Sequence, residues 1–184
     1  MLLGNRRVLL AGGGCTDQTQ VINGVTFGYT TNAASIYDPF LNSWTVATPM
    51  NDGRDQFGMV TLNTGNALAF FGCSGGCLGV NVLGQPFSMV GLSAEVYGFD
   101  ANQWTPEASF GTAIGNLSTG NLNQPAVVLQ SGQVLACNGG NGNTVAFNTC
   151  EIYDPSTNSW SATGSLPANE FGIHQMALLG QGRF

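Results

Sequence analysis

One histidine, His174, and five cysteines, Cys15, Cys73, Cys77, Cys137 and Cys150, are the side chains with most to offer chemistry in this 184-residue sequence. A nucleophilic triad needs a base beside its nucleophile. His174 has no cysteine near it in sequence, and no Gly-x-Ser-x-Gly elbow occurs, so no triad can be assembled from the pattern. A zinc site needs cysteine and histidine ligands at short, paired spacings. Cys73-Ser-Gly-Gly-Cys77 places three residues between its sulfurs and His174 lies far off, so the sequence carries no zinc signature. Carboxylate pairs fare no better. Asp38, Asp100 and Asp154 sit in turn sequences, where an aspartate caps its own backbone, and Asp52 and Asp55 flank Arg54, an arrangement suited to a local ion pair rather than to paired acid and base work. The expectation is a chain with no catalytic residues, no metal and no cofactor.

Composition narrows the partners. Charged residues are only 8% of the chain, lysine is absent, and the net charge is −6 with four arginines, Arg6, Arg7, Arg54 and Arg183. No basic patch exists to neutralise phosphates, which excludes nucleic acid. No apolar run approaches the roughly 20 residues that span a bilayer, so membrane insertion is not expected. With 43% apolar residues the chain has ample material for a core.

The elements that must position these residues come from a repeat. Ile36-Tyr37-Asp38-Pro39 with Asn42-Ser43-Trp44 recurs as Val96-Tyr97-Gly98-Phe99-Asp100 with Asn102-Gln103-Trp104, and as Ile152-Tyr153-Asp154-Pro155 with Asn158-Ser159-Trp160. Each tryptophan follows its tyrosine by seven positions. In step run Arg7 to Gly13, Asn66 to Gly72 and Gln133 to Gly139, each an apolar run ending in glycine. Short apolar runs with a glycine-containing turn precede the latter two, at Met59 to Leu62 and Ala126 to Leu129, and a third stands at Met176 to Leu179. One period therefore reads as four short strands of an antiparallel meander. The glycine closing the second strand suits a close backbone approach, and the tryptophan suits a wedge between neighbouring sheets.

The apolar strand ending in Gly-Gly, the Ile-Tyr-Asp-Pro turn and the trailing Asn-Ser-Trp resemble the Kelch motif across essentially the whole chain. The resemblance implies an all-β fold, a β-propeller of Kelch type, with three four-stranded antiparallel blades forming an incomplete ring or half of a six-bladed one. Blade one takes approximately 1–52, blade two 53–117 and blade three 118–167, with the start of a next blade at 168–184. Tyr37, Trp44, Tyr97, Trp104, Tyr153, Trp160, Gly13, Gly72 and Gly139 become framework positions. His174 resembles the histidine of the first Kelch strand, and its counterparts are Gln124 and Phe57. Blade two departs from the pattern in having Gly98-Phe99-Asp100 for Asp-Pro and Phe71-Gly72 for Gly-Gly. Kelch-fold copper oxidases resemble the chain in architecture, but their copper needs two histidines and a cysteine-linked tyrosine.

Successive connections of a meander alternate between its two ends, which sorts the loops by face. The turns between strands one and two and between the Tyr and Trp strands share one face; the loops between strands two and three and the links between blades share the other. On this second face Gly13 to Tyr37 spans 24 positions and Gly72 to Tyr97 spans 25, against 14 from Gly139 to Tyr153. Loops on a rigid scaffold carry function. The candidate binding residues are therefore Asp17, Gln18 and Tyr29, then Asn81, Gln85 and Phe87, then Asn141 and Asn143. Cys73 with Cys77 is the first expected disulfide and Cys137 with Cys150 the second, which points to an extracellular or cell-surface setting.

The expected function is a non-catalytic binding module that offers this loop face to a protein or a glycan. Two alternatives stand beside it: the non-catalytic portion of a larger Kelch-fold carbohydrate oxidase, and a structural component of an extracellular or surface assembly. Residues 1–8 match residues 177–184 in phase, so the chain holds three periods, fewer than the roughly four to eight blades that close a propeller. The remaining blades come from a longer chain, or from a second copy whose Gln175 to Leu179 supplies a first strand that blade one lacks. The matching segments crowd that second junction, which favours the longer chain.

Overall fold

The computed structural model describes residues 1–22, 25–55, 57–72, 79–80, 86–87, 93–109, 125–137, 149–167 and 176–179. Every regular element among them is a strand. Blade one is a sheet of β1 (Val8–Ala11), β4 (Ala34–Asp38) and β5 (Ser43–Ala47) in that order. Between β1 and β4 the chain forms a separate hairpin, β2 (Gly14–Ile22) with β3 (Val25–Thr30). Blade two contains β6 (Gly58–Thr61), β7 (Ala67–Phe70), β10 (Ala94–Gly98) and β11 (Gln103–Glu107), with a small sheet of β8 (Gly79–Val80) and β9 (Pro86–Phe87) inserted after β7. Blade three runs β12 (Ala126–Val128), β13 (Val134–Cys137), β14 (Cys150–Asp154) and β15 (Ser159–Ala162). All pairings are antiparallel.

Blades two and three have the four strands expected, whereas blade one has three of regular length. Its first strand is nonetheless present in reduced form: Leu2 bridges Val8, and Leu9 N–H donates to the Met1 carbonyl at 2.8 Å. Residues 1–3 therefore lie along the Val8–Leu9 end of β1, where the alternative of a second copy placed that copy's Gln175 to Leu179.

The turns explain the repeated aspartates and asparagines. Asp38 Oδ1 accepts the Phe40 and Leu41 amides at 2.9 and 3.2 Å, and Asp154 Oδ1 accepts the Ser156 amide at 2.9 Å. These are aspartates capping their own backbone. Four positions after Asp38, Gly98 and Asp154, Asn42, Asn102 and Asn158 adopt φ of 48°, 50° and 48°. Asparagine tolerates this left-handed conformation better than other L-residues.

Those asparagines and the tryptophans also join the blades. Trp104 Nε1–H donates to the Thr48 carbonyl of blade one at 2.9 Å, while the Thr48 amide donates to Asn102 Oδ1 at 3.1 Å. Blade three repeats the pair on blade two: Trp160 Nε1–H donates to the Ala108 carbonyl at 2.9 Å, and the Ala108 amide donates to Asn158 Oδ1 at 2.7 Å. Each blade thus grips the preceding one at the residue four positions beyond its tryptophan. Tyr37, Tyr97 and Tyr153 donate to the same asparagines and lie 5.1, 5.1 and 4.9 Å, centroid to centroid, from their own tryptophans. The core accordingly lies between sheets: Leu9, Ala11, Ala34 and Met50 pack on Ala67, Ala69, Tyr97 and Trp104, and Leu68, Phe70 and Ala94 pack on Val134, Ala136 and Tyr153.

Candidate functional site

The loop face is built on the ends of β1 and β7. From there the β2–β3 hairpin leaves blade one, with Gly14 opposite Thr30, Cys15 opposite Tyr29 and Ile22 opposite Val25. The register shifts between Cys15 and Thr19, so Asp17 and Gln18 fall within a β-bulge. Bulges recur beside functional sites because they break the regular alternation of the strand. Phe87 lies in β9 opposite Gly79. Asn81, Gln85, Asn141 and Asn143 lie outside the described residues, as do Gly139, Cys73, Cys77 and His174.

Holding the root of this face is Arg54, in the link between blades one and two. Its backbone closes the hairpin base, accepting from the Gly13 amide at 2.7 Å and donating to the Thr31 carbonyl at 3.2 Å. Its guanidinium is 1% exposed and donates to Glu95 Oε1 at 3.0 Å, to the Phe71 carbonyl at 2.7 Å and to the Ser93 carbonyl and hydroxyl at 2.9 and 2.8 Å. Asn51 completes Glu95 through its amide N–H and side-chain NH2, at 2.9 and 3.0 Å. A buried charge survives only when paired and hydrogen-bonded, and here both partners are. The sequence suggested a local pair with Asp52 or Asp55. Asp52 does contribute, at 3.5 Å, but the principal partner is Glu95, 41 residues away.

The same arginine supports a costly backbone. Gly12 and Gly13 close β1 at φ of 68° and 120°, and their counterparts in blade two are Phe71 at 58° and Gly72 at 93°. A bulky residue in the left-handed region is strained. Arg54 binds the Phe71 carbonyl in that conformation, while a Cβ at Gly72 would meet Phe57 Cβ at 2.6 Å. The close approach expected of the strand-ending glycine is thus present at Gly72, whereas at Gly13 a Cβ would meet nothing within 4 Å.

On the opposite, turn face the blades are notched. Between blades one and two the Phe99 ring stands over Gly4 and Gly65, and a cavity of about 280 Å³ remains beside it, lined by Arg7, Ile36, Tyr97, Phe99 and Asn102. In blade three the matching residue is Pro155, and a groove of about 440 Å³ remains, lined by Leu62, Asn63, Gln133, Asp154, Pro155 and Ser156. The Ser156 hydroxyl and amide and the Gln133 side chain donate to Asp154 and hold its carboxyl below the usual range. Sequence reasoning did not mark this groove, although its signal was visible in the exchange of Phe99 for Pro155.

Blade three is also stapled. Cys137 and Cys150 stand opposite each other in register, with Cα atoms 4.1 Å apart, and form a disulfide. This is the second of the two expected pairs. Below it Tyr153 is raised above the ordinary tyrosine range, first by burial and then by the Glu107 carboxylate that accepts its hydroxyl at 3.2 Å.

Sheets in meander order, gripped edge to edge by repeated tryptophans, define a segment of a β-propeller. Residues 123–167 match the Kelch motif. The solved structure of YjhT superposes with a TM-score of 0.54 at 19% identity, over 85% of this chain and 50% of that one. The chain thus spans half the length of that protein. No curated protein matches the sequence.

Proposed function

We propose that the chain is a non-catalytic binding module whose loop face receives a protein or glycan. The observation that carries this reading is the β2–β3 hairpin: seventeen residues, 14–30, leave the blade between two of its strands, form a two-stranded sheet of their own, and are tied to the scaffold at Gly13, Thr31 and Arg54. A rigid frame bearing an enlarged, ordered loop is a common way to display contact residues. Asp17, Gln18 and Tyr29 are the residues of this hairpin proposed to touch the ligand, with Asn81, Gln85, Phe87, Asn141 and Asn143 as its neighbours on the same face. The Cys137–Cys150 disulfide supports an oxidising, extracellular or surface location.

Protein and glycan arrays probed with the intact chain, and with a variant whose residues 14–30 are replaced by a short Gly-Ser turn, test the proposal. The expected result is a binder lost in the variant while its unfolding midpoint is unchanged. Retention of all binding by the variant places the contact surface elsewhere.

A further inference from the structure

On the turn face, the first turn is built alike in all three blades, yet the junction between blades one and two closes there and the junction between blades two and three stays open. In each turn a leucine exchanges backbone hydrogen bonds with the residues three and four positions on: Leu3 with Arg6 and Arg7, Leu62 with Gly65 and Asn66, Leu129 with Gly132 and Gln133. The third position after the leucine has positive φ throughout, 65° at Arg6, 86° at Gly65 and 89° at Gly132. Gly4 therefore corresponds to Asn63, and Gly65 to Gly132. Between blades one and two the Gly4 amide donates to the Gly65 carbonyl at 3.0 Å, a Cβ on Gly4 would stand 2.8 Å from Gly65 Cα, and the Phe99 ring lies against both. Between blades two and three Asn63 carries the Cβ that this approach forbids, no hydrogen bond joins its amide to the Gly132 carbonyl, and Pro155 stands in the place of Phe99. These two exchanges leave the groove of about 440 Å³. Its size falls within the roughly 300–1,000 Å³ of small ligand sites.

The charge of the groove is set by Asp154, the one charged residue that lines it. The Ser131 hydroxyl donates to Gln133 Oε1 at 3.1 Å, Gln133 Nε2 donates to Asp154 Oδ2 at 3.0 Å, and the Ser156 hydroxyl and amide donate to Asp154 Oδ1 at 2.6 and 2.9 Å. Held by these donors, the carboxyl is charged at neutral pH. Blade one shows what completes such an aspartate. There Asp38, the counterpart of Asp154, receives Arg7 Nε at 3.0 Å, and Arg7 is the counterpart of Gln133 in the register of the first two long strands. In blade three a neutral glutamine has replaced the arginine, so the carboxylate is positioned without a cation among the residues that line its groove.

We infer that this groove is a docking site for a partner polypeptide, which inserts an aromatic side chain where Phe99 stands in the other junction and sets a neighbouring arginine against Asp154. Both roles are filled elsewhere by the chain's own residues, the ring by Phe99 over Gly4 and Gly65 and the cation by Arg7 on Asp38. Neither is filled here. A basic partner also complements a chain of net charge −6 that has no lysine. The connections that follow β7, β11 and β13 leave from the opposite ends of these strands, so the site lies on the face away from the β2–β3 hairpin and its test does not depend on what that hairpin binds.

The probe is the peptide Gly-Phe-Arg-Gly, acetylated and amidated at its ends, titrated into the full chain with backbone amide resonances as the readout. Gly-Phe-Glu-Gly and Gly-Ala-Arg-Gly, blocked in the same way, and N-acetyllactosamine are titrated alongside. The Phe-Arg peptide should move the amides of Asn63, Gly132 and Ser156, and the alanine peptide should leave them in place. The Phe-Glu peptide should bind at least about five-fold more weakly, the worth of one partly exposed ion pair. Asp154→Asn should bring the Arg and Glu peptides within about two-fold of each other, which damage to the turn alone would not do. Pro155→Phe should fill the groove from within, as Phe99 fills the other junction, and abolish the response without lowering the unfolding midpoint. Unmoved groove amides at millimolar Phe-Arg peptide overturn the inference, as does equal binding of the Arg and Glu peptides or a Pro155→Phe chain that binds like wild type. Movement with N-acetyllactosamine and with none of the peptides overturns it as well, since the groove would then be a sugar site. The Arg and Glu peptides are compared on the unaltered chain, so that comparison decides the matter even where a substitution unfolds the blade.

Discussion

Replacing Arg54 by methionine isolates the interaction on which the root of the loop face depends. The substitution keeps much of the aliphatic stem and removes donors to Glu95, to the Phe71 and Ser93 carbonyls and to the Ser93 hydroxyl. Glu95, 2% exposed, would keep only the two donors from Asn51. Removing one member of a buried ion pair costs about 3–5 kcal/mol, most of it the penalty of the charge left behind. Replacing Glu95 by leucine in the same molecule removes that charge. The Phe71 and Ser93 carbonyls still lack their donor, so the double variant should remain about 1–3 kcal/mol below wild type. The double variant should therefore be about 2 kcal/mol more stable than Arg54→Met alone, the sign of coupling expected of partners in one network. Urea titration followed by near-ultraviolet circular dichroism, with midpoint and slope fitted separately, gives each term. A double variant as unstable as the sum of its two single substitutions would refute the reasoning, since it would mean that Arg54 stabilises through its carbonyl contacts alone.

Trp104→Ala should cost about 3–5 kcal/mol, whereas Trp44→Ala should stay within about 0.5 kcal/mol; equal costs would contradict the one-sided grip between blades. Replacing Cys137 and Cys150 together by alanine should destabilise the chain by about 2–4 kcal/mol, and non-reducing peptide mapping of the wild type should recover the two cysteines as one linked pair. Tyr97 and Tyr153 both have folded-state pKa values raised above 10.0, by burial and, for Tyr153, also by Glu107. A group with a raised folded pKa favours the folded state fully below its unfolded value and loses that advantage as pH climbs towards the folded one. Stability should accordingly fall above about pH 10, and Tyr153→Phe should flatten the decline; an unchanged slope in that variant would remove Tyr153 as its source.

How far the sequence speaks depends on whether a residue is repeated. Tyr, Asn and Trp recur at fixed spacing because each blade must grip the one before it at the same three points, so comparing periods exposes them without any structure. The positive φ shared by Asn42, Asn102 and Asn158 was implicit in the same alignment, yet its use as an acceptor for the neighbouring blade was not, since Thr48 and Ala108 act through their backbone and leave no mark in side-chain identity. The pairing of Arg54 with Glu95 escaped for a different reason. Nothing in the spacing of two charges 41 residues apart says that the link from one blade lies against the third strand of the next, and the nearer Asp52 and Asp55 were the natural local choice. Blade two's Phe71 departs from the Gly-Gly of the repeat, and the structure gives the departure its physical content: the left-handed conformation is kept and an arginine holds it.

The loop face shows the limit of the same reasoning. Its existence followed from the alternation of a four-strand meander, and the inserted hairpins of blades one and two appear where that alternation puts them. Their composition cannot be checked against a sister repeat, because the insertions of 24, 25 and 14 positions share no phase. What is constrained by packing against an identical neighbour is written three times and can be read by comparison. What is constrained by an external ligand is written once, and here only the backbone bulge at Asp17 and Gln18 distinguishes it from a loop that covers the sheet. The exposed Trp44 belongs to the first kind. It keeps the geometry of its two sisters, a tyrosine ring at 5.1 Å and an asparagine in the left-handed conformation, so the repeat is legible in it even where its ring is exposed.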